Sequence, residues 1–488
     1  MKHIHFVGIG GIGMSGLAEV VHARGFSVSG SDLVASENTA ALSARGIRID
    51  LGHAAEHVRG ADLVVYSSAV NPDTNPETLQ ARRLGIPIIR RAELLAHVTR
   101  LGKSLAIAGT HGKTTTTSLC GLVLIAGGYD PTVIVGGRLH DFGGSNARIG
   151  SGEWFVVEAD EYDRSFLQLT PTVAVITNIE PEHLDVYGSF TAIEEAFEAF
   201  ARNVSLLGTL IVCGDDPGCQ RLAARLPHRV VTYGFGQHCA ICAADVHTTG
   251  SEAIVRVVRN GQALGDLRLK IPGEHNIANA LAAVAVGFEL DIPFSVITDA
   301  LAEFGGVIRR FQVLGDYSGV IVVDDYAHHP TEIRATLRAA RQRFPERRIV
   351  AVFQPHTYTR TRDFASAFAD ALSHADIAMI TDVYAAREAP IEGISGRTIL
   401  EQQIVPAERL RSSETIAAVP VHPRLGGDEM ASAGRAEFLY APTLDDVKQQ
   451  LGRILQPGDV LLTMGAGNIV QIAQWFCHST MAPSSVRD

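Results

Sequence analysis

The chain is poor in aromatic residues and lacks long apolar runs. Only 6% of its 488 residues are aromatic, two of them tryptophan, although 46% are hydrophobic. Small aliphatic side chains must therefore fill the core, and 47 glycines supply many tight turns, a balance that suits α/β architecture. No apolar stretch approaches the roughly 20 residues a membrane helix needs, which argues against membrane insertion. The N-terminus runs directly into a strand-like segment without a signal-peptide layout, so the expected compartment is the cytoplasm. Cysteine is scarce and scattered, at Cys120, Cys213, Cys219, Cys239, Cys242 and Cys477, which fits reduced thiols rather than a disulfide framework. Cys239 and Cys242 form a C-x-x-C pair, but without a second pair or a following His this reads more readily as incidental than as a zinc or redox site. An excess of positive charge is also missing. The formal net charge of −11 argues against nucleic acid as a partner, while local cations and helix N-termini remain available to small anionic substrates.

What is present is phosphate chemistry. Gly109-Thr110-His111-Gly112-Lys113-Thr114-Thr115 follows the strand-like run Ser104 to Ala108 and precedes a helix-like run beginning at Ser118. In such a loop, small residues turn successive N–H groups toward phosphate oxygens, Lys113 reaches the β and γ phosphates, and the Thr114 hydroxyl joins a Mg²⁺ shell. The P-loop pattern would place its first glycine at position 107, where this chain has Ile107, so the loop is a shortened relative. The alternative is a Gly/Thr-rich loop that only caps a helix. A second turn, Gly8-Ile9-Gly10-Gly11-Ile12-Gly13, follows His5-Phe6-Val7 and satisfies G-x-G-x-x-G, with Asp32 at the end of the next strand where a ribose-binding acid belongs. Alone it fits several diphosphate ligands, or tight strand-to-helix packing with no ligand. Two phosphate turns about a hundred residues apart point to two nucleotide-bearing substrates on two domains.

Length and the alternation of strand and helix predict an α/β protein of three domains. These are a Rossmann-like N-terminal domain over 1–102, a central P-loop ATPase-like domain over 103–312, and a C-terminal Rossmann-like α/β domain over 313–488. Arg411 to Arg435 has no clear period and reads as an exposed loop or insertion. Glu158-Ala159-Asp160-Glu161-Tyr162-Asp163 follows a buried-looking strand, which puts carboxylates at the sheet edge that faces the phosphate loop, where Mg²⁺ would be held. A solvated acidic loop is the other reading. His183, after the strand Val173 to Asn178, is either a metal ligand, a substrate contact or a structural histidine.

Ordered over nearly the whole chain, these segments resemble the Mur ligase family. The resemblance is carried by the opening His5 to Gly16, by Ala108 to Thr117, and by Gly273-Glu274-His275-Asn276-Ile277-Ala278-Asn279-Ala280. It continues through Arg309-Arg310-Phe311, Asp324-Asp325-Tyr326-Ala327-His328-His329-Pro330, Gln354-Pro355-His356 and Tyr358-Thr359-Arg360-Thr361-Arg362. It implies an ATP-dependent ligase with UDP-N-acetylmuramate, L-alanine and ATP as substrates and Mg²⁺ as cofactor. By the same resemblance, Gly8, Gly10, Gly11, Gly13 and Asp32 hold the UDP-sugar. ATP falls to Gly109, Thr110, His111, Gly112, Lys113, Thr114, Thr115, His275, Asn276, Asn279, Arg310 and Asp325. The metal falls to Thr114, Glu158 and His183, and the amino acid to Tyr326, His328, His356 and Arg360. Lys113, His328 and Arg360 are the implied catalytic residues, with His328 as candidate base because a histidine titrates near neutrality. Tyr162 also resembles the family member that attaches a recycled L-Ala-γ-D-Glu-diaminopimelate tripeptide to the same sugar nucleotide, whereas Gly8 to Met14 and His183-Leu184-Asp185 stand closer to the alanine-adding member. A dinucleotide oxidoreductase would leave Gly112-Lys113-Thr114 without a role. A non-catalytic nucleotide-binding regulator would leave the acidic and histidine strand ends unexplained.

Overall fold

The computed structural model describes residues 2–249, 252–386, 388–402 and 436–481, so the segment Arg411 to Arg435 lies outside the described residues. Three sheets carry the fold. The first contains β1 (His3–Val7), β2 (Ser27–Asp32), β3 (Arg48–Leu51), β4 (Leu63–Tyr66) and β5 (Ile88–Arg90) in the order β3-β2-β1-β4-β5, with every pairing parallel. The order reverses at β1, and the loop after β1 is the glycine turn. That is the topological switch point where open α/β sheets collect ligands.

The second sheet contains β6 (Lys103–Ala108), β7 (Thr132–Ile134), β8 (Ala147–Arg148), β9 (Trp154–Glu158), β10 (Val173–Ile176), β11 (Thr209–Cys213), β12 (Arg229–Gly234), β13 (Ile241–Thr249), β14 (Glu252–Arg259) and β15 (Gln262–Leu269). Their order is β15-β14-β13-β12-β11-β10-β6-β9-β7-β8. Its central strands are largely apolar, and Leu105 to Ala108 and Ala174 to Ile176 are fully buried, as expected where helices cover both faces of a parallel sheet. The third sheet contains β16 (Gln312–Tyr317), β17 (Val320–Asp325), β18 (Ile349–Phe353), β19 (Ile377–Ile380), β20 (Glu437–Tyr440) and β21 (Val460–Met464) in the order β16-β17-β21-β18-β19-β20. Only the β16–β17 edge is antiparallel.

These elements form two compact units. One comprises 1–246, 255–268 and 278–307, and the other 247–254, 269–277 and 308–488. The first sheet and most of the second share the first unit, joined by side chains that cross from one to the other: Asn146 donates to the Ile12 carbonyl, and Arg138 to Glu37 and Asn38. In the second unit, aliphatic cores cover both faces of the third sheet, one built around Ile333, Leu337, Phe353 and Phe368 and the other around Val322, Val352, Leu451 and Ile472. No helix among the described residues is long and apolar enough to cross a membrane.

One boundary departs from the sequence reading. The helix after the phosphate loop spans Lys113–Ala126 and so starts five residues before Ser118. Four consecutive threonines have weak helix propensity because they are β-branched. Thr115, Thr116 and Thr117 are nevertheless buried, and this packing overrides local preference.

Candidate active site

The phosphate loop is shaped by two glycines in left-handed conformations, Gly109 (φ +133°) and Gly112 (φ +82°). A Cβ at Gly109 would collide with the Thr177 hydroxyl, and one at Gly112 would lie 2.6 Å from Asn279 Oδ1, so neither position has room for a side chain. The loop is pinned to the end of β10: the Thr110 amide donates to the Asn178 carbonyl (3.1 Å) and the His111 amide to Asn178 Oδ1 (2.8 Å). Those two N–H groups are committed to the fold. The anion cradle passes to the first turn of helix Lys113–Ala126, where the leading N–H groups have no intrahelical partner. Asn279 Oδ1 also accepts from the Thr116 hydroxyl (3.1 Å), which makes Asn279 a brace for this helix.

Lys113 is where chemistry gathers. Its Nζ donates to the carbonyls of Gly109 (2.6 Å) and Thr110 (3.1 Å) and pairs with Glu161 at 2.7 Å. Burial disfavours the ammonium, but the carboxylates of Glu161, Asp160 and Glu158 outweigh it and hold Lys113 above its ordinary range. Burial raises Glu161 to about 7 despite the pull of Lys113. It also raises Glu158, against a hydrogen bond from the Gly136 amide (2.7 Å) and the nearby Lys113 and Thr114. His183 stands at the other side of Glu161, with Nε2 3.8 Å from its carboxylate, and its ring meets Tyr162 edge-on at 4.9 Å. The acidic segment therefore clusters around the loop lysine, with Glu161 buried and Glu158, Asp160 and Asp163 half-buried. The solvated-loop reading fails for Glu161, while Tyr162 is exposed. Glu161 and Lys113 are 48 residues apart, and the sequence reading did not single out Glu161; its only signal was its place in the acidic run.

Mg²⁺ fits this donor set. Glu158 and the Thr114 hydroxyl offer hard oxygen donors at the start of helix Lys113–Ala126, and the upward shift of Glu158 marks a half-buried carboxylate that gains from added positive charge.

The first glycine turn lies in the same unit. Gly8 (φ +80°) and Ile9 donate their amides to the Ser31 carbonyl, and the Gly10 amide donates to Asp32 Oδ2 (2.8 Å). Asp32 thus buttresses the turn with one oxygen. Gly13 faces Arg91, whose guanidinium would lie 3.3 Å from a Cβ there. Arg91 also lines a small cavity with Glu158, Asp160 and Ser165. It links the glycine turn to the acidic edge, a role invisible in the sequence, where it is one of two adjacent arginines.

In the second unit, Tyr326, His328, His356 and Arg360 assemble as the sequence reading grouped them. The Tyr326 and His328 rings are 5.4 Å apart, those of His328 and His356 5.8 Å, and Arg360 Nη1 is 3.3 Å from His356 Nδ1. His328 Nδ1 lies 3.0 Å from the Tyr326 carbonyl and 3.2 Å from Glu332. Both are acceptors, so the proton sits on Nδ1 and the Nε2 lone pair is left for chemistry. Glu332 also pairs with Arg310 (3.5 Å), which lies over the Tyr326 ring. Glu332 was missed, although its position three residues after His329 at a helix start is a capping signature. Asp325 is committed to the fold, accepting from the amides of Phe311 and Ala327 and the Thr336 hydroxyl; burial pushes it up to about 6 against the charge of Arg310. Burial and the charge of Arg310 bring His275 down to about 4, and Asn276 Nδ2 donates to the Pro272 carbonyl (2.6 Å).

Three models of one family match the chain: the Mur ligase family catalytic domain over residues 3–102, the Mur ligase middle domain over 107–287, and the Mur ligase glutamate ligase domain over 309–467. A UDP-N-acetylmuramate–L-alanine ligase of Salinibacter ruber is 48% identical, covering 98% of this chain and 94% of the relative. One from Geobacter sulfurreducens is 44% identical, covering 98% and 97%. The crystal structure of a UDP-N-acetylmuramate-alanine ligase from Thermotoga maritima matches with a TM-score of 0.78 at 31% identity, covering 98% of this chain and 99% of that one. A murein peptide ligase from Psychrobacter arcticus shares the fold, with a TM-score of 0.70 at 23% identity over 99% of each chain.

Proposed function

The chain belongs to the Mur ligase family, and from this premise we propose that it joins L-alanine to the lactyl carboxylate of UDP-N-acetylmuramate with conversion of ATP to ADP and phosphate. This is the first peptide step of peptidoglycan precursor synthesis. The near full-length identity to ligases named for that substrate pair carries the reading. It also favours L-alanine over the recycled tripeptide, despite Tyr162.

The residues support a division of labour. Positions 1–102 hold the uridine-linked sugar, with Gly8, Gly10, Gly11 and Gly13 at its diphosphate and Asp32 and Arg91 behind them. Positions 103–312 bind ATP through Gly109 to Thr115, and 313–488 supply the amino-acid contacts Tyr326, His328, His356 and Arg360. A carboxylate resists amines until one oxygen becomes a leaving group. The γ-phosphoryl group therefore passes to a lactyl oxygen, giving an acyl phosphate and ADP. The alanine nitrogen attacks the acyl carbon, and the tetrahedral intermediate expels phosphate. Lys113 exchanges Glu161 for the phosphate oxygens and stabilises the charge that builds during transfer. Thr114, Glu158 and His183 would hold Mg²⁺, which when bound neutralises phosphate charge. His328 Nε2 takes the amine proton, and Glu332 keeps the imidazole in that tautomer, the role of an orienting carboxylate.

Phosphate release tests the reading. Release that requires both UDP-N-acetylmuramate and L-alanine, stops with chelator and returns with Mg²⁺ supports it. Release with the tripeptide but not with L-alanine would transfer the chain to the recycling reaction.

A further inference from the structure

A second cluster of metal-ligating groups lies on the central sheet, apart from the phosphate loop. Asp215 follows β11, and His238 and Cys239 lie on the loop between β12 and β13. A carboxylate oxygen, an imidazole nitrogen and Cys239 Sγ approach within 4.8 Å of one another. Asp215 and Cys239 are buried and His238 is exposed, so an ion has an entry path.

The cluster is built. Asp215 is clamped by the amides of Phe235 (2.5 Å) and Gly236 (2.9 Å). His238 Nε2 lies 2.9 Å from the Gly214 carbonyl, which only accepts. Nε2 therefore carries the proton and Nδ1 keeps its lone pair, the arrangement in which backbone carbonyls orient metal-binding histidines. Two glycines make the space. A Cβ at Gly236 would lie 2.5 Å from His238 Nδ1 and 2.9 Å from Asp215 Oδ1, and one at Gly214 would lie 2.5 Å from Cys239 Sγ. Neither glycine has a positive φ, so the room they leave, not the backbone, accounts for the residue type. Capping of the 235–236 turn explains Asp215 alone; it does not explain why an imidazole and a thiol converge on it.

We propose that Asp215, His238 and Cys239 form a zinc-binding site. Mixed oxygen, nitrogen and sulfur donors suit Zn²⁺, which accepts a tetrahedral set of this kind. As the zinc–sulfur bond forms, the Cys239 S–H bond breaks and its proton leaves to solvent. The ion would tie the loops after β11 and β12 to the start of β13, far in sequence from Lys113, and so act on stability rather than on the reaction.

The test uses the full chain, purified under reducing conditions, freed of metal with a chelator and titrated with Co²⁺ as a spectroscopic stand-in. A thiolate-to-cobalt charge-transfer band is expected, displaced by Zn²⁺. The phosphate-loop site has no cysteine among its assigned residues and contributes no such band. Cys239→Ser should abolish the band. His238→Ala, at an exposed position that leaves the core intact, should weaken binding at least about tenfold. Zinc should raise Tm in the parent protein and not in His238→Ala. Absence of the band in the parent, its persistence in Cys239→Ser, or unchanged affinity in His238→Ala would overturn the proposal; the last decides even if Cys239→Ser fails to fold.

Discussion

Replacing Lys113 by Met removes the cation that pairs with Glu161 beside Glu158 and Asp160, and its consequences separate into stability and rate. For stability, Lys113 is largely buried and Glu161 almost wholly so, with the ion pair at 2.7 Å. Breaking one partner of such a pair costs about 3–5 kcal/mol because the other charge is stranded. Glu161 already sits near 7, so it relieves part of this cost by taking a proton. The double variant Lys113→Met/Glu161→Gln strands neither member of that pair, leaving only Glu158 and Asp160 without the lysine's charge, and is expected to lie closer to the parent in Tm than Lys113→Met does. For rate, a cation at the transferring phosphoryl group is worth roughly 10³-fold or more, or about 4 kcal/mol of barrier. The assay is phosphate release dependent on both acceptor substrates, with UDP-N-acetylmuramate affinity measured in parallel by calorimetry. The double variant should remain folded, bind the sugar nucleotide as the parent does, and lose kcat by about 10³-fold. Glu161→Gln alone retains the lysine and reports the carboxylate's share. A folded double variant with kcat within tenfold of the parent would refute the role given to Lys113, and with it the energy source of the proposed reaction.

Two other outcomes follow from the geometry. Glu77, fully buried, is pushed up by burial, yet hydrogen bonds from His5 (3.1 Å), Ser31 (2.7 Å) and His57 (2.9 Å) overcome this and bring it to about 2. A depressed carboxyl stabilises the fold above its unfolded value of 4.5, and that contribution, about 3 kcal/mol, is lost as pH falls toward 2. Urea unfolding from pH 6 to 2 should show this acid loss in the parent, while Glu77→Gln is less stable at pH 6 and has a flatter acid limb. In the second unit, His328→Ala should slow amide formation by about 10²–10⁴-fold while acyl phosphate still forms. Trapping that intermediate with hydroxylamine distinguishes the two steps, and equal loss of both would remove His328 as the base.

Much of the architecture is legible in the residues because it rests on short-range physics. Buried parallel strands read as largely apolar runs, and the strand read at Ser104 to Ala108 falls within β6 (Lys103–Ala108). The glycine turns announce themselves because only glycine adopts φ +133° at 109 without strain. Helix Lys113–Ala126 was the exception, since its first turn is held by packing rather than propensity. The grouping of Tyr326, His328, His356 and Arg360 was also foreseen, through motifs spaced within 35 residues of chain.

The one-dimensional chain determined the α/β alternation and where its two glycine turns lie. Only the folded chain decided which side chains meet. Glu161 closes on Lys113 across 48 residues, Glu77 on His5 across 72, and Asn279 braces Thr116 across 163. Asp215 reaches Cys239, and a pair that looked incidental acquires a carboxylate and an imidazole. Glu77, Thr116 and Asn279 lie on helices, whose packing sets their partners, whereas for Glu161 and Asp215 the reason lies in the order of the strands. Parallel pairing aligns the carboxyl ends of distant segments at one edge, so neighbours there are set by sheet register, which local sequence spacing does not encode.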